Sequence, residues 1–195
     1  MIVSPKALSG VVELTPRVYE DHRGGFKEII HPHAMAAAGI PHRFVQCNAS
    51  TSKQGVLRGL HFQGHPYAQS KLIWVTRGRI FDVAVDVRPK SPTFGQHVHV
   101  ILSADDHNML YIPIGFAHGF YAVTDCDVIY ACGDHYEPTA EKSIRWDDPD
   151  LAIPWPHISP PILSVKDAEA PYLADVANGL VWPSEAYFPP QQKNT

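Results

Sequence analysis

Across residues 71–89 the chain reads KLIWVTRGRIFDVAVDVRP: an apolar run, a polar break at Thr76–Gly78, and a second apolar run. In the second run Phe81, Val83, Val85 and Val87 alternate with Asp82, Ala84, Asp86 and Arg88. A period of two is the mark of a β-strand, whose successive side chains point to opposite faces. Segments 95–103 (GQHVHVILS), 108–123 (NMLYIPIGFAHGFYAV) and 127–136 (DVIYACGDHY) continue in the same manner. Helical signals are few. Residues 31–41 (HPHAMAAAGIP) predict a short helix ended by Gly39, and residues 164–176 a turn or two. The 18 prolines and 13 glycines are spread along the chain and punctuate short segments, which is the all-β pattern. The expected fold is a closed or double-sheet antiparallel one, a jelly roll or barrel, with a ligand-sized mouth between its sheets. The stretch from about residue 183 reads as a loose tail.

A chain of 195 residues suffices for one sizeable domain and is short for two. Apolar residues make up 45% and charged residues 18%, which predicts a packed core. The formal net charge of −4 provides no basic field for nucleic acid, although a few local cations could hold a small anion. The opening MIVSPKALSG lacks the charged start and apolar run of a signal peptide, and no apolar stretch reaches membrane-spanning length. Cys47, Cys126 and Cys132 are odd in number and form no CxxC pair, which fits structural thiols in a reducing cytoplasm.

One apolar segment carries unexpected chemistry. Residues 55–63, GVLRGLHFQ, hold Arg58 and His61 in a strand-like setting. Strict alternation points these two apart. A bulge at Gly59 brings both into one cavity; alternatively Arg58 faces the surface or a partner chain. A lone histidine in such a strand is ordinarily a hydrogen-bonded core residue. His61 is not alone, because Lys71, His118 and Tyr130 also sit in largely apolar, strand-like segments where burial without a partner is costly. Convergence of the four on one cavity, which spacing alone does not establish, would make a polar site in an apolar shell. Two histidine pairs, His97 with His99 and His61 with His65, raise a metal centre, but the ligand sets are incomplete, and a solvated face is the better reading of His97 and His99. There is no GxSxG elbow, no GxGxxG and no GxxxxGK[ST], so a serine hydrolase, a dinucleotide fold and a P-loop lack support.

In chain order, GVLRGLHFQ, QSKLIWVTRGRIFDVAVDVRPKSPTFG, LYIPIGFAHGF, IRWDDPDLAIPWP and LSVKDAEAP together resemble the dTDP-4-dehydrorhamnose 3,5-epimerase family, from about Val12 to Tyr172. The resemblance implies a cupin-type jelly-roll homodimer that uses no metal or other cofactor and acts on a dTDP-linked 4-keto-6-deoxyhexose. Carbons beside a ketone carry acidic protons, because the resulting anion spreads onto the carbonyl oxygen. By match, His61 is the base, Asp167 its partner, Tyr130 the opposing acid, and Lys71 the group that stabilises the enolate oxygen. The resemblance places substrate contacts at Arg23, Phe26 and Glu28 of DHRGGFKE, at Gln46 and Asn48 of VQCNAS, and at Arg58 for the diphosphate. Further contacts fall on His118, Tyr136, Glu141 and Lys166. Asp82 and Asp86 are left as structural positions or as support behind the site. Many members carry Asp and His where this chain has Cys47 and Ala49. The rival expectations are an epimerase acting at a single carbon, a non-catalytic sugar-binding jelly roll, and a metal-dependent cupin oxygenase.

Overall fold

The computed structural model describes residues 1–40, 43–156 and 160–183. Among these, the strands are β1 (Ile2–Pro5), β2 (Val12–Thr15), β3 (Val18–Asp21), β4 (Gly24–Lys27), β5 (Gln46–Ser52), β6 (Leu57–Gln63), β7 (Lys71–Arg77), β8 (Arg79–Asp86), β9 (His97–Ser103), β10 (Met109–Ile112), β11 (Phe116–Ala122), β12 (Cys126–Cys132) and β13 (Glu141–Ser143). Three short helices accompany them: α1 (Pro32–Ala37), α2 (Val165–Ala168) and α3 (Leu173–Ala177). A six-stranded sheet runs β1-β2-β10-β7-β12-β5, and a five-stranded sheet runs β13-β6-β11-β8-β9. Neighbouring strands are antiparallel throughout, and β3 and β4 form a separate two-stranded ribbon. This is a cupin-type jelly roll, the all-β architecture expected from the strand pattern.

Three apolar clusters explain why so many strands read as nearly continuous apolar runs. Between the sheets lie Ile73, Val75, Leu110 and Val128 from one, facing Ile80, Ala84, Phe116 and Phe120 from the other. The five-stranded sheet is also covered on its outer face, where Leu57, Leu60, Phe62, Phe81, Val83 and Val85 pack under Trp155, Leu173 and Trp182. The outer face of the six-stranded sheet holds Leu14, Leu72, Met109 and Tyr111 beneath Met35 and Ile40. The alternation seen in β8 is therefore real, but both of its phases are buried. Phe81, Val83 and Val85 face outward into one cluster, and Ile80 and Ala84 face inward into another. Each fully buried Leu or Ile contributes about 1.5–3 kcal/mol, which favours covering both faces.

The break at Thr76–Gly78 is not a hairpin. β7 and β8 belong to different sheets, so the chain crosses from one to the other at Gly78. Gly78 has φ +78°, and a Cβ there would lie 2.1 Å from the carbonyl oxygen of Asp125. The segment 108–123 is likewise two strands, split around Gly115. The short helix expected over 31–41 is α1, and the turn or two expected over 164–176 are α2 and α3. The chain stays docked as far as Trp182, whose indole donates to the carbonyl of Val87 at 3.1 Å. The tail expected from about residue 183 lies, beyond Pro183, outside the described residues.

Candidate active site

The site begins with the register of β6 against β11. His61 pairs with His118 and Arg58 with Phe120, so three steps along β6 match two along β11. The extra residue is a bulge, and Gly59 occupies it with φ +113°. A Cβ at Gly59 would lie 2.6 Å from Gly119 Cα and 2.7 Å from the carbonyl oxygen of His118, so only glycine fits. The bulge flips the phase of the strand. Leu57, Leu60 and Phe62 all reach the outer cluster, while Arg58 and His61 share the opposite, cavity-lining face.

Asp167 stands behind His61. It lies in α2, where the Ser164 hydroxyl caps the backbone N–H of Asp167 at 3.1 Å and donates to its Oδ2 at 2.8 Å. His61 Nε2 meets Asp167 Oδ1 at 2.5 Å. The histidine side chain is 28% exposed and the carboxylate 5%, so the ring faces the cavity and the acid is shielded. Burial pushes the Asp167 carboxyl up, but hydrogen bonds from His61, Ser164 and the Gly59 backbone N–H outweigh it and hold the group below its ordinary value.

Two adjoining cavities meet at this pair. One, of about 270 Å³, is lined by Gln46, Asn48, His61, Gln63, Gln69, Lys71, Tyr130, Tyr136 and Glu141. The other, of about 280 Å³, is lined by Ser50, Arg58, His61, Lys71, His118, Phe120, Tyr130, Ser164 and Asp167. His61, Lys71 and Tyr130 line both. His61 comes from the five-stranded sheet, whereas Tyr130 (β12) and Lys71 (β7) come from the six-stranded one. The imidazole and the phenol thus project from two facing sheets onto the same space. Burial pushes the Tyr130 phenol up, so it holds its proton at neutral pH. Burial pushes the Lys71 amine down, opposed by nearby negative charge.

Arg58 donates to Ser52 Oγ at 3.1 Å and to the Thr51 carbonyl at 3.3 Å, which sets its guanidinium against β5 at the edge of the second cavity. At the mouth of the first cavity, Glu141 Oε2 accepts from Tyr136 Oη at 2.7 Å and pairs with Lys166 Nζ at 2.6 Å. Burial raises the Glu141 carboxyl, but those two partners hold it low. The backbone N–H of Tyr136 donates to Gln46 Oε1, and Gln46 donates in turn to Asn48 Oδ1 at 3.0 Å.

Of the residues expected at the site, His61, Lys71, Tyr130, Asp167, Gln46, Asn48, Arg58, His118, Tyr136 and Glu141 line one or both cavities, and Lys166 joins through Glu141. Arg23 and Phe26 do not. They sit on the β3–β4 ribbon, where Phe26 is 69% exposed and Arg23 pairs only with its neighbour Asp21 among the described residues. Glu28 lines a different cavity, beside Tyr19 and His31. Cys47 and Ala49 alternate with Gln46 and Asn48 and face away from the site. His99 stacks on Phe81 with ring centroids 4.6 Å apart. Sequence reasoning missed Gln63, Gln69, Ser50 and Ser164. Gln63 and Gln69 read as ordinary polar residues, yet they brace the 134–137 loop, donating to the carbonyls of His135 and Asp134. Ser164 had a usable signal, since S-x-x-D before a short helix is a capping pattern.

The arrangement is one for proton transfer: a carboxylate-backed imidazole on one wall, and a protonated phenol and an amine on the other. Comparisons with known proteins agree. The family model described as dTDP-4-dehydrorhamnose 3,5-epimerase matches residues 5–175. The dTDP-4-dehydrorhamnose 3,5-epimerase of Salmonella typhimurium is 46% identical over 175 residues, covering 89% of this chain and 96% of that protein. A Legionella pneumophila epimerase, solved in complex with dTDP-4-keto-L-rhamnose, superimposes with a TM-score of 0.85 at 42% identity, over 97% of this chain and 98% of its own. An epimerase from Mycobacterium tuberculosis gives a TM-score of 0.90 at 41% identity, covering 95% of each chain. Fold, site and likeness define a carbohydrate epimerase, an isomerase built on the cupin jelly roll. The chain belongs to the dTDP-4-dehydrorhamnose 3,5-epimerase family.

Proposed function

We propose that this protein inverts C3 and C5 of a dTDP-linked 4-keto-6-deoxyhexose, the activity named for its relatives. The observation that carries the reading is the 2.5 Å contact between His61 and Asp167 on a cavity that Tyr130 and Lys71 also line. His61 takes the proton from the carbon beside the ketone, through the ring nitrogen that does not face Asp167. The Asp167 carboxylate stabilises the imidazolium so formed. The electron pair left on carbon spreads to the ketone oxygen, where the Lys71 ammonium meets it. Tyr130 returns a proton from the opposite side, and solvent restores both groups. One C–H bond breaks and one forms at each carbon. The oxidation state is unchanged, so the scheme calls for no redox cofactor.

Arg58 holds the diphosphate, and Gln46, Asn48, His118, Tyr136, Glu141 and Lys166 position the remainder of the ligand. Arg23, Phe26 and Glu28 complete the nucleotide end from a second copy of the chain. The exposed ribbon supports this: a cation and a bare aromatic ring project from it and line neither cavity of their own chain. The working unit is accordingly a homodimer of single-domain subunits. Its free thiols, two buried and one exposed, suit the reducing cytoplasm. Among the described residues, no helix is long and apolar enough to cross a membrane. Incubation with dTDP-4-keto-6-deoxyglucose in heavy water, followed by NMR, tests the reaction. Deuterium is expected at both C3 and C5; sustained exchange at one carbon alone means a single-carbon epimerase.

A further inference from the structure

A second histidine–carboxylate pair lies beside the first. His118 is the direct cross-strand neighbour of His61, and its Nε2 lies 2.7 Å from Asp82 Oδ1. Asp82 is fully buried on β8, and its Oδ2 has no hydrogen-bond partner among the described residues. A buried carboxylate with one bare oxygen is unfavourable for folding alone, because each lone pair removed from water goes uncompensated.

Lys71 is the group that needs such a charge. To meet a negative oxygen it must be an ammonium before the carbon proton leaves, yet burial favours the neutral amine. Among the described residues, its Nζ bonds only to the carbonyl of His61, at 3.3 Å, and pairs with no carboxylate. The charged and titratable groups around it come from five strands, with Arg58 on β6 and His118 on β11 lining the same cavity. The Cys132 thiol and the Tyr130 phenol, both on β12, are pushed up by burial and are neutral near pH 7. Glu141 on β13 is already engaged by Lys166 and Tyr136, and His61 on β6 is engaged by Asp167. Asp82 on β8 is engaged by His118 through Oδ1 alone and keeps Oδ2 without a partner among the described residues.

We infer that Asp82 is a positioning residue of the epimerase reaction: its Oδ1 fixes the tautomer of His118 at the cavity wall, and its carboxylate supplies negative charge beside the Lys71 side chain in that cavity. With Nε2–H committed to Asp82, the other ring nitrogen of His118 is left for the ligand. The inference rests on the epimerase reading above.

Two measurements test it. In wild-type protein carrying 15N-labelled histidine, two-bond 1H–15N spectra are expected to show His118 protonated at Nε2 between about pH 6 and 9. A neutral form protonated at Nδ1 overturns the inference. Asp82→Asn is expected to lower kcat about 10- to 100-fold, as loss of a supporting carboxylate does. KM should stay within about threefold, and the alkaline limb of kcat should move to lower pH by about half a unit or more, because Lys71 loses its counter-charge. Asp82→Glu should recover part of the rate. An unmoved alkaline limb in an Asp82→Asn protein that melts like wild type overturns the inference. Should Asp82→Asn not fold, the wild-type spectrum and the limb of Asp82→Glu decide. If wild type itself leaves the keto sugar unchanged, the epimerase reading is what falls, and the spectrum still reports the tautomer.

Discussion

Burial moves Lys71 and Tyr130 in opposite directions, the amine below its ordinary 10.5 and the phenol above its ordinary 10.0. Each shift suits the role proposed for it, since burial helps the phenol keep a proton to give, while the same burial loosens the proton that the amine must hold as pH rises. The alkaline limb of kcat is therefore expected to follow Lys71. Lys71→Arg should move that limb upward, because a guanidinium stays charged beyond pH 12, even though the longer, planar group lowers the rate itself. A pH–rate profile checks this, and a limb that does not move assigns it to another group. Asp167 has the opposite sign. Its folded-state value is depressed, so its charge and the stability it contributes are present above the ordinary carboxylate value. They are lost only as pH falls through the lowered folded value. Any acid limb near neutrality therefore does not belong to Asp167. At this scale the chain could be read in part. His61, Lys71, His118 and Tyr130 stood out as polar groups in apolar strands. Asp167 did not, because it lies 106 residues from its partner and no local spacing joins them; only the shared motif pointed to it.

At the scale of elements, the bulge in β6 decides whether the site exists. Without it, alternation returns His61 to the side of Leu57 and parts it from Arg58. Gly59→Ala places a Cβ 2.6 Å from backbone and demands φ +113° of a residue that resists it. The expected cost is more than about 2 kcal/mol of stability, with loss of activity in whatever protein remains folded. Denaturant melts and assays on the soluble fraction measure both; a variant as stable and active as wild type contradicts the bulge's role. The glycine was readable as a candidate bulge from the sequence, since glycine inside a strand has few other uses. The crossing at Gly78 was not, because a turn between two apolar runs looks the same whether or not the strands pair. β5 was missed as a strand because it is a sheet edge. Its exposed positions Cys47, Ala49 and Thr51 alternate with polar ones that face the cavity, which leaves no apolar stripe to find.

For the whole molecule, the three apolar clusters hold the cavity walls, and the ribbon carries Arg23 and Phe26, which line neither cavity. Arg23 and Phe26 were legible only through their motif, and no sequence signal tells whether a residue serves its own chain or another. Mixed dimers decide. A His61→Asn chain retains an intact ribbon, and a Phe26→Ala chain retains an intact base. If the ribbon works in trans, mixing and re-annealing the two inactive or weakened proteins restores one good site per heterodimer. Activity should then rise toward about a quarter that of wild type, since random pairing makes about half the dimers mixed and each mixed dimer holds one good site of two, against a sum of the separate activities if each ribbon serves its own subunit. Light scattering should show a dimer, and a monomer that turns over at full rate contradicts the arrangement.

The central claim is that the imidazole at position 61 removes the carbon-bound proton. Incubating His61→Asn with the keto sugar nucleotide in heavy water reads that step directly. The account predicts a folded protein whose deuterium uptake at C3 and C5 falls by at least about 100-fold. Exchange at the wild-type rate would contradict it.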